Sequence, residues 1–393
     1  MKALKIGIDK IGFFTPHLYV DMNDLALARG VEPAKFTIGI GQEKMSVAPI
    51  TQDAVTLAAN AALEIITEED REKIDYVIFA TESGVDNSKA AAIYVHRLLG
   101  LKPNVRSIEV KEACFGATAG IQMAKGHIAL NPESKVLVLG SDISRYGINT
   151  SGEVTQGAGA VAILISANPR IMTIEEPSVF HTEDIMDFWR PVYSDVAFVD
   201  GKFSNEKYIS FFNHVWEDFK AKTNMTLADF TAICFHMPYT KMGLKALKSV
   251  LDQGTEEDQN RLLANYEISK TYNKVVGNIY TGSLYLSLLS LLETNTHIEA
   301  GARIGLYSYG SGAVGEFFTG ILQPGYREVL QPEKHQQLLD NRQKLTIAEY
   351  EDVFEKKLPV DGSSLQLAVD EDPADICLAG IDQHMRQYIN KKM

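Results

Sequence analysis

Residues 107–120 read Ser-Ile-Glu-Val-Lys-Glu-Ala-Cys-Phe-Gly-Ala-Thr-Ala-Gly. The opening of this stretch reads as a strand, and its small-residue end suits a helix that other backbone approaches closely. A strand that hands Cys114 to the start of a helix is a joint of α/β layering. Neighbouring segments carry the same alternation. Tyr76–Ala80 (YVIFA), Lys135–Leu139 (KVLVL) and Val161–Ile165 (VAILI) read as buried strands, and Asp53–Ile66, Lys89–Leu99 and Phe115–Leu130 as helices. The start, MKALKIGIDKIG, alternates like a strand and holds no signal-peptide core.

The second half repeats the order. Thr231–Phe235 (TAICF) reads as a strand and is followed by a helix near Tyr239–Leu251; a helix at Thr281–Glu293, a strand at Arg303–Tyr309 and an apolar run at Ala313–Leu322 come next. The first strand of each set ends at a polar residue, Glu82 or His236. A polar residue, Cys114 or Asn278, then opens a small-residue helix, and a Gly-Ser element follows at Gly140–Ser141–Asp142 or Gly310–Ser311–Gly312. This repetition of pattern predicts a duplicated fold, with halves at 1–167 and 168–393. Residues 182–213, rich in aromatics and Asp, read as an insertion that caps or walls the site. The polar stretch from Pro324 to Lys357 reads as peripheral, with a helix in Ile347–Lys357.

A chain of 393 residues exceeds one ordinary core, which agrees with two halves. Apolar residues at 45% and charged residues at 23% describe a globular protein. No apolar run is long enough to span a bilayer, and a cytoplasmic location is expected. The net charge of −13 and the lack of a dense Lys/Arg cluster argue against nucleic acid as a partner. The spacing of Cys114, Cys234 and Cys377 excludes CxxC chemistry, and no HExxH-like metal spacing occurs; His181 and Asp184 are a weak pair.

Four residues stand where α/β proteins do chemistry. Cys114 lies near the positive end of a helix dipole, which favours thiolate; the alternative is a small buried residue at a tight helix contact. Glu82 follows a buried strand, where partial burial raises a carboxyl pKa and suits it to take a proton from carbon; the alternative is a solvated loop residue. His236 occupies the matching place in the second half and is read either as a carbonyl-polarising group or as a structural histidine. Asn278 offers an amide to a thioester or ketone oxygen, or caps the following helix. Cys234 and Cys377 lie in apolar runs and read as core. Gly157–Gly159 and Gly310–Gly312 are weak signals for backbone N–H donors; neither they nor any other segment forms a P-loop or a Rossmann fingerprint.

Together these segments resemble the hydroxymethylglutaryl-CoA (HMG-CoA) synthases of the thiolase superfamily, in their compact bacterial form. The resemblance spans nearly the whole chain through IGIDKIGFFTP, ATESGVD, EACFGATAG, GSDISRYG, EDIMDFWRP, FHMPYTKMG, GNIYTGSLYLSL and YSYGSGAVGEFF. It implies a five-layered αβαβα thiolase-like fold and a Glu–Cys–His trio at Glu82, Cys114 and His236. Tyr146, Tyr208, Asn278 and Ser311 fall where acyl contacts are expected, and Lys241 where a coenzyme A contact is expected. The implied reaction joins acetyl-CoA to acetoacetyl-CoA on Cys114, in the mevalonate route to isoprenoids. It implies no metal or other cofactor, coenzyme A thioesters as substrates, and a homodimer. A ketoacyl synthase or thiolase is the nearest enzymatic alternative, and Glu82 within TESGVD argues against it. A non-catalytic acyl-CoA-binding scaffold is the other alternative, and the intact trio argues against that.

Overall fold

The computed structural model describes residues 4–392. Five strands come from the first half: β1 (Ile6–Phe14), β2 (Ile74–Ala80), β3 (Arg106–Val110), β4 (Lys135–Ser144) and β5 (Gly157–Ala167). Five follow: β6 (Met172–Ile174), β7 (Val179–Thr182), β8 (Ala232–Phe235), β9 (Arg303–Gly310) and β10 (Val314–Leu322). They hydrogen-bond in the order β8-β9-β10-β6-β1-β5-β4-β2-β3, with β7 also on β10. The pairing repeats from the middle outward. β1 is antiparallel to β5, β5 to β4, and β4 is parallel to β2. Likewise β6 is antiparallel to β10, β10 to β9, and β9 is parallel to β8. The two sets join where Gly7 pairs with Thr173 and Ile8 with Met172. A side chain at Gly7 would lie 2.0 Å from the Met172 carbonyl oxygen, so this seam admits only glycine.

Helices α1 (Ala54–Ile65), α2 (Ala91–Leu98), α3 (Gly116–Leu130), α4 (Gly201–Thr223), α5 (Thr240–Lys248), α6 (Glu256–Ser269), α7 (Ser283–Thr294), α8 (Pro332–Asp340) and α9 (Ile347–Glu355) cover these strands. Alternate residues of one strand face different cores, as the two-residue period requires. In β2, Ile78 and Ala80 pack with α3 and α7, while Val77 and Phe79 pack with α1 and α2. In β8, Ala232 and Cys234 share the central core, and Ile233 and Phe235 join α4 and α5. The layers are therefore α1/α2, strands, α3/α7, strands, α4/α5. Glycines make the central layer thin: a side chain at Gly140 would meet Gly282 at 3.3 Å. Cys234 and Cys377 are buried core residues, as read from sequence.

Three expectations are corrected. Residues 182–213 are not one insertion. Phe188–Trp189 pairs with Phe198–Val199 as a small flap, but from Gly201 the chain is α4, an outer-layer helix. Its Tyr208, Phe211, Phe212, Val215, Trp216 and Phe219 are buried, each burial contributing roughly 1.5–3 kcal/mol. Interleaved charged residues on the exposed face masked that periodicity. The stretch 324–357 is not peripheral either. His335 and Tyr350 are buried, His335 Nδ1 pairs with Glu293 at 2.9 Å, and Gln343–Lys344 adds a strand beside Leu18–Tyr19. Lastly, the C-terminal hairpin Ile376–Asp382/Met385–Asn390 packs on the first half: the Leu378 N–H donates to the Thr51 carbonyl, and Tyr388 to Asp53. The sequence boundary between the halves is thus not a spatial boundary for the tail. Among the described residues, no helix is long and apolar enough to cross a membrane.

Candidate active site

The site lies where β2 and β3 of the first half, and β8 and β9 of the second, run out at their carboxyl ends. There Cys114 Sγ donates to Glu82 Oε1 at 3.1 Å. Cys114 is delivered by a bent turn in which Ala113 has φ +40°, a sparsely populated backbone held by its surroundings. The other half presses on that turn: a side chain at Gly310 would sit 2.6 Å from the Glu112 carbonyl and 2.7 Å from the Phe115 nitrogen. Gly310 thereby places the half-buried Ser311 beside the nucleophile's loop.

Burial pushes the Cys114 thiol well above its ordinary pKa, and the Glu82 carboxyl adds to that push. This corrects the expectation of a thiolate made by the helix dipole. α3 begins only at Gly116, and the adjacent carboxyl outweighs it. Burial, with the Asp142 charge behind it, pushes Glu82 up to about 8. The pair rests as a protonated thiol held by its acceptor. Burial pushes His236 down to about 3, so its ring is neutral throughout the physiological range. Its Nδ1 is buried without a partner, and its backbone N–H is held by the Tyr307 carbonyl at 2.8 Å. β8 lies parallel to β9, so His236 emerges beside the strand whose end, Gly310, touches the Cys114 turn.

Asn278 Oδ1 accepts from the Tyr280 N–H at 2.9 Å and the Ser283 hydroxyl at 3.1 Å, which fixes the amide's orientation. Asn278 thereby caps the next turn, as one of its two readings expects. Tyr146 and Tyr280 meet edge to face at 6.2 Å between centroids, and Phe188 of the flap closes on both. Burial raises the pKa of both phenols. Tyr208 stands one step back: its hydroxyl donates to the His236 carbonyl at 2.5 Å. Lys241 lies apart, in the first turn of α5, where Thr240 ties the helix to the Gly41 carbonyl at 2.6 Å. The glycines at 157 and 159 serve close approach and not N–H donation: side chains there would strike the Asn278 backbone at 2.6 Å and the Phe14 carbonyl at 2.9 Å.

Several residues escaped the sequence reading. Asp142 is wholly buried between the halves. Its Oδ1 accepts from the Glu82 N–H, the Thr81 hydroxyl and the Ser83 hydroxyl at 2.7–2.9 Å, and its Oδ2 from the Thr281 N–H and hydroxyl at 3.1 and 2.7 Å. One carboxylate thus ties the Glu82 loop to the Asn278–Thr281 turn. Its only sequence signal is the polar residue after Gly140–Ser141. Asp187 fastens the flap by accepting from the Tyr309 hydroxyl and the Gly312 N–H, both at 2.9 Å, and Arg190 of the flap donates to the Glu82 carbonyl. Tyr280 sat unnoticed beside Asn278. Asp142→Asn keeps the shape but turns an N–H₂ toward the Thr281 N–H. We expect turnover to fall about 100-fold, the size of an ångström-scale misplacement, while far-UV circular dichroism stays that of the parent.

A nucleophilic Cys at a strand–helix joint, a carboxyl on it and an imidazole from a second, similarly built half define a condensing enzyme of the thiolase-like class, an acyltransferase. Comparison with known proteins narrows this. The family described as hydroxymethylglutaryl-coenzyme A synthase N terminal matches residues 2–170, and its C-terminal counterpart matches 173–273 and 259–362. The hydroxymethylglutaryl-CoA synthase of Enterococcus faecalis is 54% identical, over 98% of this chain and all of its own. A crystal structure of an HMG-CoA synthase complexed with CoA superposes with TM-score 0.96 at 46% identity, covering 98% of this chain and 100% of that one. MvaS in complex with HMG-CoA superposes with TM-score 0.89 at 34% identity, covering 99% and 100%. The chain belongs to the hydroxymethylglutaryl-CoA synthase family, and its reaction is the condensation that forms HMG-CoA.

Proposed function

We propose that the chain joins acetyl-CoA to acetoacetyl-CoA with water, giving HMG-CoA and free CoA through an acetyl-Cys114 intermediate. The observation that carries this reading is the 3.1 Å hydrogen bond from the Cys114 thiol to Glu82. The Cys114 sulfur attacks the acetyl-CoA carbonyl; its proton passes to Glu82 and on to the departing CoA thiolate. The tetrahedral oxyanion is held by backbone N–H groups at the Cys114 turn. Glu82, again ionised, takes a proton from the acetyl methyl. The enolate carbon attacks the ketone of acetoacetyl-CoA, and the new alkoxide receives the proton that Glu82 holds. The neutral His236 ring and the Asn278 amide polarise that ketone, Tyr146 and Ser311 line the acyl group, and Tyr208 holds His236 in place. Water then cleaves the Cys114 thioester. A methyl proton is far too weak an acid for a carboxylate alone; thioester formation, desolvation and oxyanion binding act together.

Every step is an acyl transfer, a proton transfer or the addition of a carbon to a carbonyl, with no net oxidation, so the scheme needs no redox cofactor, and hydrogen-bond donors take the place of a metal at the oxyanion and the ketone. Lys241, on a cationic α5, is the proposed coenzyme A contact. Residues 1–167 and 168–393 are read as the two halves, a reading supported by the strand order they share up to β10, with the C-terminal hairpin packed back on the first half. A homodimer is supported by β3, an outer strand that is exposed or half-buried along its length and, among the described residues, has no partner on its outer side. Light scattering at micromolar concentration should give twice the chain mass; a clean monomer contradicts it. CoA thioesters as substrates agree with the proposed cytoplasmic location and the mevalonate route.

His236→Ala tests the division of labour. Acetyl labelling of Cys114 should stay within about tenfold of the parent while condensation falls at least 100-fold, the scale of losing a transition-state hydrogen-bond donor. Equal loss in both steps makes His236 structural. Because its pKa is near 3, the parent's rate should show no imidazole limb between pH 5 and 8.

A further inference from the structure

Tyr146 sits on a loop, residues 145–156, whose first and last residues are both gripped by α9. Gln156 Oε1 accepts from the Tyr146 and Gly147 N–H groups at 2.7 and 3.1 Å, while its Nε2 donates to the Tyr350 hydroxyl at 2.9 Å. At the other end, the Arg145 guanidinium lies 4.0 Å over the Phe354 ring and donates to the Phe354 carbonyl. Tyr350 and Phe354 are four residues apart on one helix face, so a single rigid element holds both ends of the loop. The flap is tied to the same place: Ala197 N–H donates to the Arg145 carbonyl at 3.2 Å, and Lys357, just past α9, pairs with Asp195 at 2.9 Å.

We propose that α9 is a positioning strap for the acyl pocket, in which Tyr350 and Phe354, acting through Gln156 and Arg145, hold Tyr146 and the Phe188–Val199 flap against the Cys114 site. The inference rests on the condensing role proposed for that site. Neither residue touches the reacting atoms; both act through others. The loop they fasten includes Gly147 at φ +98° and has little regular structure, so its geometry depends on these ties. Tyr350 is buried in a small satellite core with Val154 and Met45, and its hydroxyl has the Gln156 amide as its partner. A helix serving stability alone would not need its two contacts to fall on the residues that bracket an active-site tyrosine.

The test uses Tyr350→Phe, which deletes one hydroxyl, and Phe354→Leu, with Arg145→Lys as a further variant that keeps charge but loses the planar stack. Asp352→Asn, on the exposed face of α9, is the control. Trp216 is fully buried, so acrylamide quenching of tryptophan fluorescence reports on Trp189 in the flap. The strap variants should lose about tenfold in the condensation rate with KM for acetyl-CoA within about twofold, and quench more readily than parent or control. Folded variants that lower the melting temperature yet keep parental rate and quenching overturn the strap and leave α9 a stabilising helix. If Tyr350→Phe fails to fold, Arg145→Lys carries the same two expectations. A parent that never acetylates Cys114 refutes the condensing reading instead, while quenching in the variants still decides the strap.

Discussion

Replacing Cys114 with alanine should abolish both acetyl transfer and product formation, a fall in turnover of about 10⁴-fold or more. The scheme has no second nucleophile: Cys234 and Cys377 are buried in apolar cores, and burial pushes them up to about 12 and about 11. Other groups at the site, the Tyr146 and Tyr280 phenols and the neutral His236, are raised phenols and a weak base, unsuited to attack a thioester at neutral pH. Without sulfur the remaining binding groups still hold acetyl-CoA, so affinity for it should change little. Removing the side chain also removes one contributor to Glu82's surroundings without leaving a buried charge unpaired, so the fold should persist. Incubation with radiolabelled acetyl-CoA, denaturation and counting provide the measurement. A labelled Cys114→Ala protein would show the nucleophile to lie elsewhere.

The second large effect belongs to Glu82→Ala. Losing the carboxyl takes away the proton acceptor 3.1 Å from Cys114, but also one of the groups that raise the thiol's pKa. The two changes oppose each other in the acetylation step, which should survive within about tenfold. Condensation has no such compensation, because removal of the methyl proton needs a base; it should fall about 10³-fold or more. The pH dependence carries the same assignment. Glu82 must be ionised to act, and its pKa is about 8. Single-turnover condensation of the preformed acetyl-enzyme should therefore rise about tenfold per pH unit below 8 and level off above it. Stability runs the other way. The unfolded carboxyl ionises near 4.5, while the folded one keeps its proton until about 8. Its contribution is lost as pH rises between those values, since the folded state binds the extra proton. Glu82→Gln should accordingly gain melting temperature relative to the parent as pH increases from 5 to 8. Product formation at the parental rate by Glu82→Ala would remove the base from the mechanism.

Much of this was legible in the sequence because strand ends bear chemistry in α/β folds. Glu82 and His236 lie at the ends of β2 and β8, and Cys114 and Asn278 each precede a central-layer helix, α3 or α7. The alternation of β2 and β8 between two cores is a local, period-two signal, so the layering could be read from single segments. Asp142 could not. Its importance comes from hydrogen bonds to Thr81–Ser83 and to Thr281, which are brought together only by the central layer. α4 was obscured because its buried aromatics are interspersed with Lys, Glu and His; α9 was read as a helix, but its two anchors, diluted by acidic neighbours, hid that it is not peripheral. The thiol's protonation state was misjudged for a related reason: sequence displays the helix dipole, whereas the opposing carboxyl arrives from a distant strand.

The central claim is that carbon–carbon bond formation proceeds from the sulfur of Cys114. Acetyl-enzyme prepared with labelled acetyl-CoA, freed of small molecules and then given unlabelled acetoacetyl-CoA alone, isolates that step. The label should leave the protein and appear in HMG-CoA, identified by mass, with one equivalent of product per labelled site. Label that remains on the protein, or emerges only as acetate while no HMG-CoA forms, would contradict the mechanism at its core.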